Sequence, residues 1–135
     1  IMAWSMTHLA GIPISQYCFQ CSECEDSDKA KDDIAREVKN SAYHIINYKG
    51  ATYYAIALAL TRITTAILQG ENALLTVSTL VNGKYGLSDV CLGIPAVIGY
   101  QGVVRVVESE LSPKESMLLK ESANIIKKAL KEVGY

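Results

Sequence analysis

The hydrophobic pattern of this chain changes period once, near Gly70, and that change limits the folds open to it. Before Gly70 the apolar residues recur at helical spacing. After it come runs rich in Val, Ile, Leu and Thr, separated by turn signals. A last segment, opened by Ser112-Pro113-Lys114-Glu115, returns to the helical period. The order is helix, helix, strands, helix, with no βαβ alternation. It predicts an α+β fold with helices packed on an antiparallel sheet.

Each segment carries its own signals. Residues 4–17 hold Trp4, Leu9, Ile12 and Ile14 with Gly11 and Pro13 as breakers, and read as a short helix running into a loop. Asp26, Ser27 or Asp28 then offers an N-cap. From Lys31 to about Tyr48, the residues Ile34, Val38, Ala42 and Ile45 mark one face of an amphipathic helix. Lys49-Gly50-Ala51-Thr52 interrupts it. Residues 53–69 are apolar on nearly every side, with Gly70 placed to terminate them. A helix apolar all round must be covered all round, which in so small a chain implies another domain or another subunit.

Residues 73–81, 89–99 and 103–109 read as three or four antiparallel strands, with Asn82-Gly83 as a turn. Ser112, Pro113 and Glu115 supply an N-cap, a first-position proline and the acid of a capping box. Leu118, Leu119, Ser122, Ala123, Ile126, Ala129, Leu130 and Val133 then line one face, and Gly134 stops the helix.

With 135 residues the chain is one domain's worth, able to bury about two thirds of its unfolded surface. The 13 basic and 14 acidic side chains give a net charge of −1, so no footprint for nucleic acid or an anionic membrane is visible. No apolar run reaches the ~18 residues of a membrane span. No signal peptide is visible, and the reading is cytoplasmic. The chain begins at Ile1 within apparently structured sequence, so it is expected to be part of something longer.

Cys18, Cys21 and Cys24 stand at metal-ligand spacing, with Cys91 as a distant fourth. The loop lacks the Gly and Pro that shape such turns, Cys91 lies in a run that reads as buried strand, and His8 and His44 have no partner at ligand spacing. Inert or redox-sensitive thiols are the preferred reading. No phosphate loop, no dinucleotide-binding glycine motif and no nucleophile turn is present. His44 reads as a surface or supporting residue, Arg62 as a structural ion pair or interface contact, and Tyr53 and Tyr54 as packing.

At "KGATYYAIALALTRITTAIL" the sequence resembles the C-terminal, substrate-binding half of a bacterial L-lactate dehydrogenase, in the lactate/malate dehydrogenase family. The resemblance runs from "AWS" and "AGIP" through "VKNSAYHIINYKGATYYAIA" and "ENALLTVSTLVNGKYGLSDVCLGIPAVIG" to the terminal helix. It implies that the Rossmann domain of the family is absent from these residues. Thr52 matches the threonine of the substrate pocket, and Ala42 and Ser41 match small residues of the pocket wall. Ile56 matches the apolar residue against the nicotinamide ring. As Thr52 and Ile56 are four apart, one helix turn is expected to carry both; ordinary helix packing is the alternative for all four.

No catalytic residue is assigned in this chain. The resemblance places the family's catalytic histidine, in an H-G-D motif, ahead of Trp4-Ser5 and upstream of Ile1. Its aspartate partner, the carboxylate-clamping arginine and the carbonyl-polarising arginine fall there too, with the sugar-phosphate effector site. The chain alone is therefore expected to be inactive. The implied cofactor is NAD, held mainly by the N-terminal domain, and the implied partners are that domain, pyruvate or L-lactate, and further copies in a dimer or tetramer. A malate or other 2-hydroxyacid dehydrogenase is the near alternative; a non-catalytic assembly or cysteine-metal scaffold is the distant one.

Overall fold

The computed structural model describes residues 1–18 and 27–134. The chain folds as two compact units, Met2–Ala59 and a second formed by Leu60–Tyr135 with Ile1. The boundary falls inside one helix.

In the first unit, a single 3-10 turn at Trp4–Met6 leads into a small hairpin of β1 (His8–Leu9) and β2 (Ile12–Pro13). Ala10 and Gly11 take φ of 50° and 84°, the left-handed pair that a two-residue hairpin turn requires. Ile14 N–H donates to the Thr7 carbonyl at 2.9 Å and closes the hairpin onto α1 (Ile14–Cys18). This corrects the sequence expectation of a helix followed by a loop. The apolar spacing was there, but the turn at Ala10-Gly11 pairs strands too short to show a period. Helix α2 runs Ser27–Lys49, so Ser27 and Asp28 lie inside it, and the third cap candidate, Asp26, lies outside the described residues. Gly50, at φ 75°, ends it by donating to the Ile46 carbonyl at 2.7 Å. Helix α3 (Tyr54–Gln69) follows after four residues.

The second unit is built on a three-stranded antiparallel sheet, ordered β3 (Ala73–Asn82), β4 (Ser88–Gly99), β5 (Gly102–Val106). Its strands are those read from the sequence, with the third ending earlier, at Val106. Alternation decides which face is inside: Val90, Leu92, Ile94, Ala96 and Ile98 are buried, while Asp89, Cys91 and Gly93, on the opposite face, are exposed. Cys91 is thus on a strand but not buried, because it falls on the odd-numbered face. Pro95 sits in the middle strand, a position that normally loses a ladder bond. Here its carbonyl accepts from Val107 N–H at 2.9 Å, so its donorless nitrogen faces the side where β5 has already ended.

Helix α4 (Pro113–Glu132) covers the buried face with Leu119 and Ala123, which pack on Val81, Leu87, Val90, Leu92 and Ile94. Its start is the expected capping box. Ser112 Oγ accepts from Glu115 N–H, and Glu115 Oε2 accepts from Ser112 N–H at 2.9 Å and from its hydroxyl at 2.7 Å. A second cluster joins Ala66 of α3 to Ala96 and Ile98. The end of α3 is a Schellman turn, in which Gly70 N–H donates to Ile67 and Glu71 N–H to Ala66, both at 3.1 Å. Arg62 pairs with Glu71 Oε2 at 2.6 Å, the structural ion pair its place on an apolar helix called for.

The connection from β3 to β4 is longer than Asn82-Gly83 alone suggested, with a 3-10 turn at Lys84–Gly86 in which Tyr85 takes φ 55°. It is tied down by Glu108, which accepts from Tyr85 N–H at 2.7 Å and from the Lys84 ammonium at 2.9 Å. Tyr85 OH in turn accepts from Ser109 N–H at 3.1 Å.

Two outcomes follow from these interactions. A Cβ on Gly99 would sit 2.5 Å from Asn72 Oδ1 and 2.9 Å from Val104 Cγ2. Gly99→Ala is expected to lower the urea midpoint, with a loss of about 1–3 kcal/mol. The backbone amide of Tyr85, then Lys84, holds the Glu108 carboxyl below its ordinary value of 4.5. Its stabilisation is therefore complete above that value and is lost as pH falls through the lower folded value. Glu108→Gln should flatten this part of the acid limb when midpoints are measured from about pH 3 to 7.

Candidate functional site

Thr52 lies in the stretch that Gly50 forces between α2 and α3. Tyr53 is the N-cap of α3, its carbonyl accepting from Ala57 N–H at 2.9 Å. Thr52 is therefore one residue outside the helix, and Ile56 is in its first turn. The expectation that one helix turn carries both is corrected: the backbone needs residues 50–53 to leave the left-handed Gly50 and start again, so Thr52 cannot be helical. Its side chain is half-buried, whereas Ile56 is 55% exposed.

A cleft of ≈ 410 Å³ opens at this turn, lined by His44, Ile45, Tyr48 and Lys49 of α2 and by residues 51–55. Thr52 is part of its wall. Ser41, Ala42 and Ile56 are not among its lining residues. Ser41 and Ala42 lie exposed on α2, and the Ser41 hydroxyl donates back to the Val38 carbonyl at 2.8 Å. Ser41 thus contributes shape rather than a free donor. Tyr53 and Tyr54 meet edge to face, with centroids 5.0 Å apart, and the Lys49 ammonium stands 5.2 Å from the centre of the Tyr54 ring. The two rings touch each other, yet both are exposed and both line the cleft.

Sequence reasoning placed none of Tyr48, Lys49 and Ile45 in a site, and it read His44 as a surface or supporting residue. The four share a side of α2 because they fall at positions i, i+1, i+4 and i+5. That spacing was visible, but nothing in it marks the concave side. Cys21 and Cys24 lie outside the described residues. Among the described residues no three His, Cys, Asp or Glu side chains gather as a metal set.

The family described as lactate/malate dehydrogenase, alpha/beta C-terminal domain, matches residues 1–134. This chain belongs to that family. Among its relatives, an L-lactate dehydrogenase of Treponema denticola is 50% identical over 134 residues, which is 98% of this chain and 42% of the relative. The structure of MGS-M5, a lactate dehydrogenase from a Medee basin deep-sea metagenome library, superposes with a TM-score of 0.95 at 38% identity, covering 100% of this chain and 43% of that one. The minor L-lactate dehydrogenase of Enterococcus mundtii, in its ligands-bound form, gives 0.92 at 36% identity, over 98% of this chain and 42% of its own. The chain therefore has the fold of the lactate dehydrogenase C-terminal domain and spans about two fifths of the length of these relatives.

Proposed function

We propose that residues 1–135 act as one domain of an NAD-dependent L-lactate dehydrogenase, supplying part of the wall against which pyruvate and L-lactate are interconverted. The observation that carries this reading is the agreement with an L-lactate dehydrogenase at 50% identity over nearly the whole chain. Thr52 supplies the substrate wall from within the cleft, and Ala42 and Ser41, outside its lining, are assigned to that wall by the family match alone. A small side chain at 42 leaves room for a substrate. The likeness to L-lactate dehydrogenases supports lactate over malate.

The residues present also fit a nicotinamide. Ile56 offers a half-exposed aliphatic surface on the first turn of α3, a suitable floor for a flat ring. When bound, NAD supplies the hydride chemistry. The chain's own residues orient and exclude: Thr52 and Ala42 limit how the substrate lies, and Ile56 keeps water from one ring face. In family members the histidine that moves the proton and the arginines that hold the carboxylate and polarise the carbonyl precede the Trp-Ser pair, here Trp4-Ser5. On this reading residues 1–135 are inactive alone.

The same reading gives the exposed helices a purpose. No residue of α2 is buried, and on α3 only Ala66 is, while Ile45, Leu58, Leu60 and Leu68 face outward. A Rossmann domain and further copies of the protein, in a dimer or tetramer, would cover them. No described helix is long and apolar enough to cross a membrane, and the family reading places the enzyme in the cytoplasm.

The test is NADH oxidation with pyruvate and with oxaloacetate, by this chain alone and after co-refolding with the N-terminal part of a lactate dehydrogenase. Silence alone and pyruvate-selective turnover on mixing are expected. In the reconstituted enzyme Thr52→Trp should lower kcat/KM for pyruvate by about 100-fold, by displacing the substrate. Turnover from this chain alone, or none on mixing with correctly folded halves, would overturn the reading.

A further inference from the structure

The connection between β3 and β4 holds a reaction that the dehydrogenase reading does not use. Asn82 is exposed and is followed by Gly83, the pairing in which a side-chain amide is least shielded from the next backbone nitrogen. In an unfolded chain the deprotonated Gly83 nitrogen attacks Asn82 Cγ. The new C–N bond closes a succinimide, the Cγ–Nδ2 bond breaks, and ammonia leaves. Water then opens the ring to aspartate or isoaspartate, with no change of oxidation state.

The fold occupies the atom that must attack. Gly83 N–H donates to the Leu87 carbonyl at 2.8 Å and to Ser88 Oγ at 3.2 Å. Gly83 itself is fixed at φ 79°, ψ −14°, so the nitrogen is aimed across the turn. The residues that follow are anchored separately, since Lys84 and Tyr85 both bind Glu108. Removing the Gly83 proton therefore requires this turn to open first.

We propose that Asn82 is a latent deamidation site, held closed by the hydrogen bonds of Gly83 to Leu87 and Ser88. Opening of this turn sets the rate at which the site converts. Conversion to isoaspartate adds a methylene to the main chain where the ladder already shifts register, between Val81 and Asn82, so a turn once converted cannot re-form the Asn82–Ser88 pairing. The site would thus record, irreversibly, how often this end of the sheet has opened.

The experiment is peptide mass spectrometry of the folded chain during incubation at mildly alkaline pH, alongside the same chain held in urea. The folded chain is expected to convert at Asn82 at least about tenfold more slowly than the unfolded one. Ser88→Ala, which keeps the buried core intact, should speed conversion about fivefold, the change one net hydrogen bond supports. Equal rates in folded and unfolded chain would overturn the proposal, as would an unchanged rate in a folded Ser88→Ala variant. If that variant does not fold, the folded-to-unfolded ratio of the parent chain decides alone.

Discussion

Strand β4 is paired on both sides, and its inward residues Val90, Leu92, Ile94, Ala96 and Ile98 supply both apolar clusters of residues 60–135. Because side chains alternate with a period of two, a slip of one residue in its pairing would turn all five to water and bring Cys91, Gly93 and Pro95 inside. Fully burying each large aliphatic side chain is worth about 1.5–3 kcal/mol, so a slip of this kind competes with the whole stability of a small domain. The register is fixed at both ends. The Tyr100-Gln101 turn closes on Gly99 and Gly102, and the β3–β4 connection is held to Glu108. Asn72 and Val104 crowd Gly99 from either side, leaving no room for a side chain at the point where the strand turns.

Residues 2–59 obey a different constraint. Helix α2 has apolar residues at helical spacing and buries none of them, and the tyrosines around the cleft are mostly exposed. Local structure is secured there by hydrogen bonds that do not need a core, such as Gly50 to Ile46, Ile14 to Thr7 and Thr7 Oγ1 to the Ala3 carbonyl at 3.1 Å. Apolar area left uncovered in this way favours association whenever a complementary surface is offered. The chain spans about two fifths of its relatives' length.

How much could be read beforehand follows the physics of each signal. The capping box at Ser112-Glu115 and the stop at Gly70 were legible because each depends on residues three to five apart. The strands were legible from composition, but the face of Cys91 was not. A run of Val, Ile and Leu looks buried throughout until its partner strands are known. The β1–β2 hairpin was missed because two-residue strands have no period to detect. At the candidate site, Thr52 was identified only through resemblance, since a threonine after Lys-Gly-Ala has no intrinsic chemical signature. The side of α2 that faces it could not be known until the angle set by Gly50 was seen.

That break makes Gly50 a determinant of the site, although it is not among the lining residues. Its left-handed φ of 75° breaks the helix at residues 50–53, so that Thr52 lines a cleft with His44, Ile45, Tyr48 and Lys49 instead of stacking in a helical row with them. Nothing lies within 4 Å of where a Cβ on Gly50 would be, so no packing excludes a larger residue there. The exclusion is conformational: a side chain at this φ costs about 1–2 kcal/mol, which a continuous helix would avoid. Helix continuation would stack Thr52 one turn beyond Tyr48 and Lys49 on the same face, with residues 50–53 in regular hydrogen bonding and no space between them. The cleft therefore exists because the break is cheaper than the helix at one residue, and the placement of Thr52 rests on that residue having no side chain.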